Sequence, residues 1–159
     1  MTQPEAIGGR RVVGRAASEW WELEGGCFVH VTARVGRGVC MGEGVCVGAG
    51  ARIRDNVWIA ADANIGANAR VPAHSKVAVV GPLGRTSSPL TMYRTTRGHE
   101  YVTGCFRGTF AELEASSHRT HGPDSLHYRA YGAAAVALWR IVMGNAPLPT
   151  INRRKETAP

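Results

Sequence analysis

The residues best suited to chemistry lie in the second half of the chain. Gly81-x-x-Gly84-Arg85-Thr86-Ser87 brings together two glycines, two hydroxyls and one guanidinium. Flexible backbone amides, hydroxyl donors and a cation are what a phosphate or another anion requires. The run lacks the Gly-Lys-Ser/Thr ending of a Walker sequence, so it is not read as one. Downstream, Thr91, Tyr93, Arg94, Arg107 and His121 add polar and cationic groups. Tyr93 or Phe106 can stack on a base, and Arg94 or Arg107 can pair with a phosphate. The expected ligand-binding set is therefore Gly81, Gly84, Arg85, Ser87, Thr91, Tyr93, Arg94, Arg107 and His121. The competing reading is a structural loop followed by a solvated hairpin. His118-x-x-His121 puts two imidazoles on one helix face with His127 near, yet nothing supplies the remaining ligands at a recognised spacing. Neither a metal nor a cofactor is expected.

These residues must be positioned by a repeat that occupies residues 29–77. Val29, Val35, Met41, Val47, Ile53, Ile59, Ile65, Val71 and Val77 recur in strict steps of six. Four residues after each of the first eight sits a smaller or β-branched residue: Ala33, Val39, Val45, Ala51, Val57, Ala63, Ala69 and Ser75. Gly36, Gly42, Gly48 and Gly66 follow the large aliphatic directly. Six is not a helical period, and a short fixed repeat predicts a solenoid whose coils stack on one another. Each unit is then a short strand plus a corner, with the aliphatic inward. Gly, Asn and Asp near the corners (Asp55, Asn56, Asp62, Asn64, Asn68) tolerate a bent backbone. An ordinary β-sandwich is the alternative.

This pattern resembles the hexapeptide repeat of left-handed parallel β-helix proteins. The resemblance implies that three units close one triangular coil, giving about three coils here, and that the chain forms a homotrimer. Leu23 with Cys27 can begin a tenth unit. Many proteins of this kind are acyltransferases that use acyl-CoA and a His base at a subunit cleft. For that reading the candidate bases are His30, His74 and His121. The repeat carries no inserted loop of the kind those enzymes often project from a corner, and His30, next to an inward residue, is expected at a corner or facing outward.

The expected fold class is mainly β, organised in four segments. Residues 1–28 form an N-terminal cap segment, in which Trp20 and Trp21 plug an open end or meet another subunit, and ordinary packing is preferred to an aromatic ligand box. Residues 29–80 form the β-helix, 81–144 a hairpin with a two-helix cap, and 145–159 a flexible tail. Within the cap, residues 81–89 read as an irregular loop. Residues 90–95 and 101–106 read as strands joined by Thr96-Arg97-Gly98-His99. Thr109 and Glu112 are spaced as a capping box for a helix that Gly122-Pro123 ends. Asp124 or Ser125 caps a second helix running to about Gly144.

Composition narrows the partners. The chain has 159 residues, 44% of them hydrophobic, and 20 glycines, which suits a corner-rich solenoid rather than a disordered chain. The formal charge is +7, and it is uneven: residues 81–159 hold ten Arg or Lys against five Asp or Glu. An anionic partner is the natural reading, although Arg153, Arg154 and Lys155 read equally as a solvated tail. A nucleic acid is not expected, since no aromatics interleave a basic stripe. No apolar run approaches the roughly 18 residues of a membrane span, and no signal peptide is expected at residues 1–14. The four cysteines have no paired zinc spacing; Cys27 falls on the inward series as a small hydrophobe, and a reduced, cytoplasmic setting is expected.

A second resemblance is more particular. Gly81-Pro82-Leu83-Gly84-Arg85, Leu90-Thr91-Met92-Tyr93-Arg94, Gly104-Cys105-Phe106-Arg107-Gly108 and Thr120-His121-Gly122, set behind hexapeptide coils, look like a group of small phage and prophage proteins. That resemblance covers residues 30–135 and implies a setting in the cytoplasm of a bacterial host. By analogy it suggests a non-enzymatic oligomeric sponge for a small anionic, nucleotide-like immune signal. The alternatives are the acyltransferase and a structural phage protein.

Overall fold

The computed structural model describes residues 10–13, 19–84 and 87–149. The first element among the described residues is β1 (Arg10–Val13), antiparallel to β2 (Glu19–Leu23), and a 3-10 turn at Glu24–Gly26 leads into β3 (Cys27–His30). Two-residue strands follow at six-residue intervals: β4 (Arg34–Val35), β5 (Cys40–Met41), β6 (Cys46–Val47), β7 (Arg52–Ile53), β8 (Trp58–Ile59), β9 (Asn64–Ile65) and β10 (Arg70–Val71). They stack as three parallel sheets: β3 with β6 and β9, β4 with β7 and β10, and β5 with β8 and β11 (Lys76–Leu83). The register runs Val29↔Val47↔Ile65 on one face and Val35↔Ile53↔Val71 on the next, so three six-residue units make one coil. This is the stacking of a β-helix.

The six-residue spacing builds the core. Val29, Val47, Ile53, Ile59, Ile65 and Val71 are fully buried, and Ala33, Val45, Ala51, Val57, Ala63 and Ala69 fill the narrower places beside them. Cys27 joins this column as a buried hydrophobe, its thiol donating to the Gly42 carbonyl at 3.1 Å. Val39 and Met41 are only half-buried, because β5 is the outermost rung of its sheet with no coil beneath.

The corners explain the polar repeats. The backbone turns each one through a residue of positive φ, and these also recur in sixes: Gly38, Gly44, Gly50, Asn56, Asp62, Asn68 and His74. Glycine and Asn or Asp tolerate that conformation best. Asp55 and Asn64 do not adopt it; Asp55 precedes the turning residue and accepts the Arg37 N–H at 2.9 Å, while Asn64 belongs to β9. Gly42 meets a different demand, since a Cβ there would lie 2.4 Å from the Ala61 nitrogen in the next coil.

Each end of the stack carries added strands, over one sheet at the first coil and over the whole of the last. At the first coil, β2 pairs antiparallel with β3; the Trp20 ring meets His30 edge-on at 5.0 Å, and Trp21 packs on the coil core. At the last coil, β12 (Ser88–Thr95), β13 (Gly98–Thr103) and β14 (Phe106–Gly108) extend the third sheet as antiparallel strands beyond β11. Residues 81–83 are strand rather than loop: β11 runs through them with a register shift between Val80 and Leu83 and a cis Gly81–Pro82 peptide. The strand expected over 101–106 is two, because Gly104 at φ +51 turns the chain between β13 and β14.

Strand alternation lets β12 serve two cores. Tyr93 packs on the coil core, whereas Leu90 and Met92 pack on α1 (Phe110–His121) and α2 (Leu126–Met143) with Tyr101, Leu138 and Trp139. The expected capping box closes the start of α1, and the Ser125 hydroxyl caps α2 by accepting the Tyr128 N–H at 3.1 Å. Residues 145–149 pack on α2, with the Trp139 indole donating to the Ala146 carbonyl at 3.1 Å, so they are not part of a loose tail. Residues 150–159 of that tail lie outside the described residues. No helix among the described residues is long and apolar enough to cross a membrane.

Candidate functional site

The last coil leaves backbone donors with no coil above them. One coil earlier, the N–H groups of Cys46 and Gly48 donate to the carbonyls of Ala63 and Ile65 at 2.9 and 2.8 Å. The matching donors of the last rung, Asn64 and Gly66, are met by side chains: Thr91 Oγ1 accepts from Asn64 at 3.0 Å and Tyr93 Oη from Gly66 at 3.1 Å. The Thr96 N–H closes the neighbouring sheet on the Arg70 carbonyl at 3.1 Å. Buried backbone groups need partners, and an open strand end needs cover. Thr91 and Tyr93 supply both.

The capping layer continues outward. Tyr93 donates to Glu100 Oε2 at 2.7 Å. Arg107 forms an ion pair with Glu100 and donates through Nη1 to the Ala67 carbonyl at 2.6 Å. Burial pushes the Tyr93 phenol pKa well up, so it stays a donor, and the hydrogen bond that Arg107 donates to Glu100 raises Arg107 above the usual guanidinium range.

Beside this layer lies a cleft of about 680 Å³, where the third coil, the β12–β13 turn and the start of α1 meet. Arg70, Arg97 and Arg107 line it, together with His99, Glu100 and Glu112. Both carboxylates are engaged, Glu100 with Tyr93 and Arg107, and Glu112 with the Thr109 N–H at 2.6 Å. His99 Nε2 accepts the Phe110 N–H at 3.0 Å. Burial lowers the His99 pKa, with the Glu112 carboxylate opposing, so the ring is held neutral. The side chains of Arg70 and Arg97 make no ion pair or hydrogen bond among the described residues.

Arg70 also ends a ladder. Arg34, Arg52 and Arg70 stand in direct register on β4, β7 and β10, all exposed. Neighbouring strands are about 4.8 Å apart, and like charges held opposite one another destabilise a sheet. Arg34 and Arg52, like Arg70, make no ion pair among the described residues. The result is a row of uncompensated cations leading into the cleft.

The expected site residues do not form one cluster. Arg107 lies in the cleft, but Tyr93 and Thr91 are fully buried in the cap, so Tyr93 offers no ring face to a base. Arg94 is exposed on β12, in register with His99. Gly81 lies within β11, and Gly84 and Ser87 belong to the β11–β12 connection, where a Cβ on Gly84 would lie 2.5 Å from the Tyr131 hydroxyl. Ser87 is exposed at φ +50. Arg85 and Thr86 lie outside the described residues. His121 stacks on Tyr131 with ring centroids 5.9 Å apart, on the helix side of the cap. Alternation along β14 causes the split: Phe106 packs toward the helices and Arg107 toward the coils. Among the other histidines, His30 bonds the Thr32 hydroxyl at 2.7 Å and His74 is an exposed corner residue.

Sequence reasoning missed Arg70, Arg97, Glu100 and the ladder. The ladder has a sequence signal: residues 34, 52 and 70 each precede an inward aliphatic and lie one coil apart. Comparison with protein-family models, with curated proteins and with solved structures finds no match for this chain.

Proposed function

We propose that this protein binds and sequesters a small anionic, nucleotide-like ligand without converting it, in the cleft at the end of the coil stack. The observation that carries the reading is the pair of guanidiniums, Arg70 and Arg97, which meet no partner among the described residues and line a cleft where Glu100 is ion-paired with Arg107 and Glu112 caps the start of α1. A phosphate brought there gains charge-assisted hydrogen bonds at little cost to existing pairs. Arg52 and Arg34 extend the favourable field along the outer face and steer anions toward the cleft. Because Glu100, Glu112 and His99 are each held by structural hydrogen bonds, the site favours holding a ligand over acid–base work.

The stack is proposed to be the left-handed form and to assemble as a homotrimer, in keeping with the resemblance to hexapeptide-repeat proteins. The likeness of the cap sequence to small phage and prophage proteins supports a sponge that removes an immune signal in the host cytoplasm. The test incubates the protein with cyclic dinucleotides, cyclic ADP-ribose isomers and inorganic phosphate, filters it, and recovers bound material after heat denaturation. The expected result is retention of an intact anionic nucleotide that Arg97→Ala abolishes while the oligomer persists. Consumption of acetyl-CoA with no nucleotide retained would replace this reading with the acyltransferase.

A further inference from the structure

The outer face of the third sheet carries an exposed tryptophan. Trp58 on β8 is 66% exposed, while the next residue, Ile59, is fully buried in the coil core. Strand alternation turns the indole outward. It stands in direct register between Cys40 on β5 and Lys76 on β11. Val77 pairs with Tyr93, so the following residue of β12, Arg94, lies beside Lys76, and both cations are exposed. With strands about 4.8 Å apart, the ring and the two cations form a row about 10 Å long. Sequence order hides this row, because Lys76 and Arg94 stand 18 and 36 residues from Trp58.

The positive charge continues round the corner to the arginine ladder. Residues 34–41, 52–59 and 70–77 build the outer faces of the second and third sheets and the corner between them. They hold six cations, Arg34, Arg37, Arg52, Arg54, Arg70 and Lys76, against one carboxylate, Asp55. Asp55 already accepts the Arg37 N–H. The side chains of Arg37, Arg54, Lys76 and Arg94 make no ion pair or hydrogen bond among the described residues. The corner between the third and first sheets, residues 42–45 and 60–63, is acidic instead, with Glu43 and Asp62 and no cation. The charge is thus sorted to one side of the stack, the side that holds Trp58.

An accessible ring face among cations suits a strand of unpaired bases. A base stacks on the indole, and the adjoining phosphates meet Lys76, Arg94 and Arg54. The counterions that the strand releases add to the affinity. A duplex keeps its base faces stacked inside and would reach only the cations. A neutral sugar would use the ring and leave the cations without a partner. The length of the row, and its continuation onto the ladder, favour an extended strand over a single nucleotide.

We infer that the outer face of the third sheet binds single-stranded nucleic acid, with Trp58 as the stacking platform and Arg54, Lys76 and Arg94 as phosphate contacts. The test is fluorescence anisotropy of a labelled oligouridine of about 15 nucleotides titrated with the full chain, beside a duplex of the same length. The expected result is saturable binding of the single strand that falls with salt and exceeds binding of the duplex. Trp58→Ala weakens it at least fivefold at an unchanged melting temperature, Trp58→Phe restores most of the loss, and Lys76→Ala flattens the salt dependence. No saturable binding overturns the inference, as does equal affinity for duplex and single strand or equal binding by the wild type and Trp58→Ala. Binding lost in Arg97→Ala but kept in Trp58→Ala also overturns it, because the strand would then lie in the cleft. So does a lower sedimenting mass of Trp58→Ala, because a second copy of the chain would then cover the ring.

Discussion

In the coil stack, Val35, Ile53 and Val71 meet one another at the same position of successive coils; in the cap, Tyr93 and Tyr101 meet partners that occur once. The stack repeats one environment, so a position is defined by its place in the six-residue unit. The cap is held by particular bonds: Tyr93 to Gly66 and Glu100, and Tyr101 to the Ala135 carbonyl at 2.8 Å. The difference teaches where function can arise. A repeat cannot by itself create a unique concave site, but it can present a periodic field such as the arginine ladder. The cleft forms where the repeat stops and the cap begins.

The comparison breaks first in the stack. Ile59→Ala, at a fully buried rung, is expected to lower stability by about 2–5 kcal/mol, read by urea denaturation. A loss below about 1 kcal/mol would mean that the coils do not form one close-packed core.

At the seam the effect is smaller. Tyr93→Phe keeps the ring and removes the hydroxyl that joins Gly66 to Glu100, and is expected to cost about 1–3 kcal/mol. Hydrogen exchange at the Gly66 amide should speed up in the same variant. An unchanged amide would show that another group caps the last coil.

The cap should also respond to pH. His99 has a folded pKa below its ordinary value, so the unfolded chain binds the proton more readily. Its contribution is therefore fully present above the ordinary His range, near pH 6.5, and is lost as pH falls toward the folded pKa. Protonation also removes the acceptor for the Phe110 N–H. The melting temperature is expected to fall between about pH 7 and 5, and His99→Gln to flatten that segment of the profile. An identical slope in the variant would assign the pH response elsewhere.

The smallest effect belongs to the ladder. Arg52→Ala relieves two like-charge neighbours and should change stability by only about 0.2–1 kcal/mol, as a gain that shrinks in high salt. A clear loss of stability would show that the ladder is paired with other groups.

The stack was legible because its inward aliphatics hold one phase for eight steps, and the helix starts because Thr109, Glu112 and Ser125 cap by local chemistry. The hairpin turn near Arg97 was legible for the same local reason. The outward register was equally available, yet Arg34, Arg52 and Arg70 acquire meaning only once the coil length is known. The cap site was not legible as a cluster. Whether Tyr93 faces a ligand or the last coil depends on the donors of Asn64 and Gly66, far away in the chain. Phe106 and Arg107 are neighbours in sequence but occupy opposite faces of one sheet.

The central claim, that the end of the stack is an anion site, is tested most directly by titrating the intact protein with a cyclic dinucleotide. Wild type, Arg70→Ala and Arg97→Ala are compared at low and high salt. The account predicts saturable binding by the wild type that weakens with salt and drops at least tenfold in either variant, with the melting temperature unchanged. Binding that persists in both variants, or an absence of binding by the wild type to any anionic nucleotide, would contradict it.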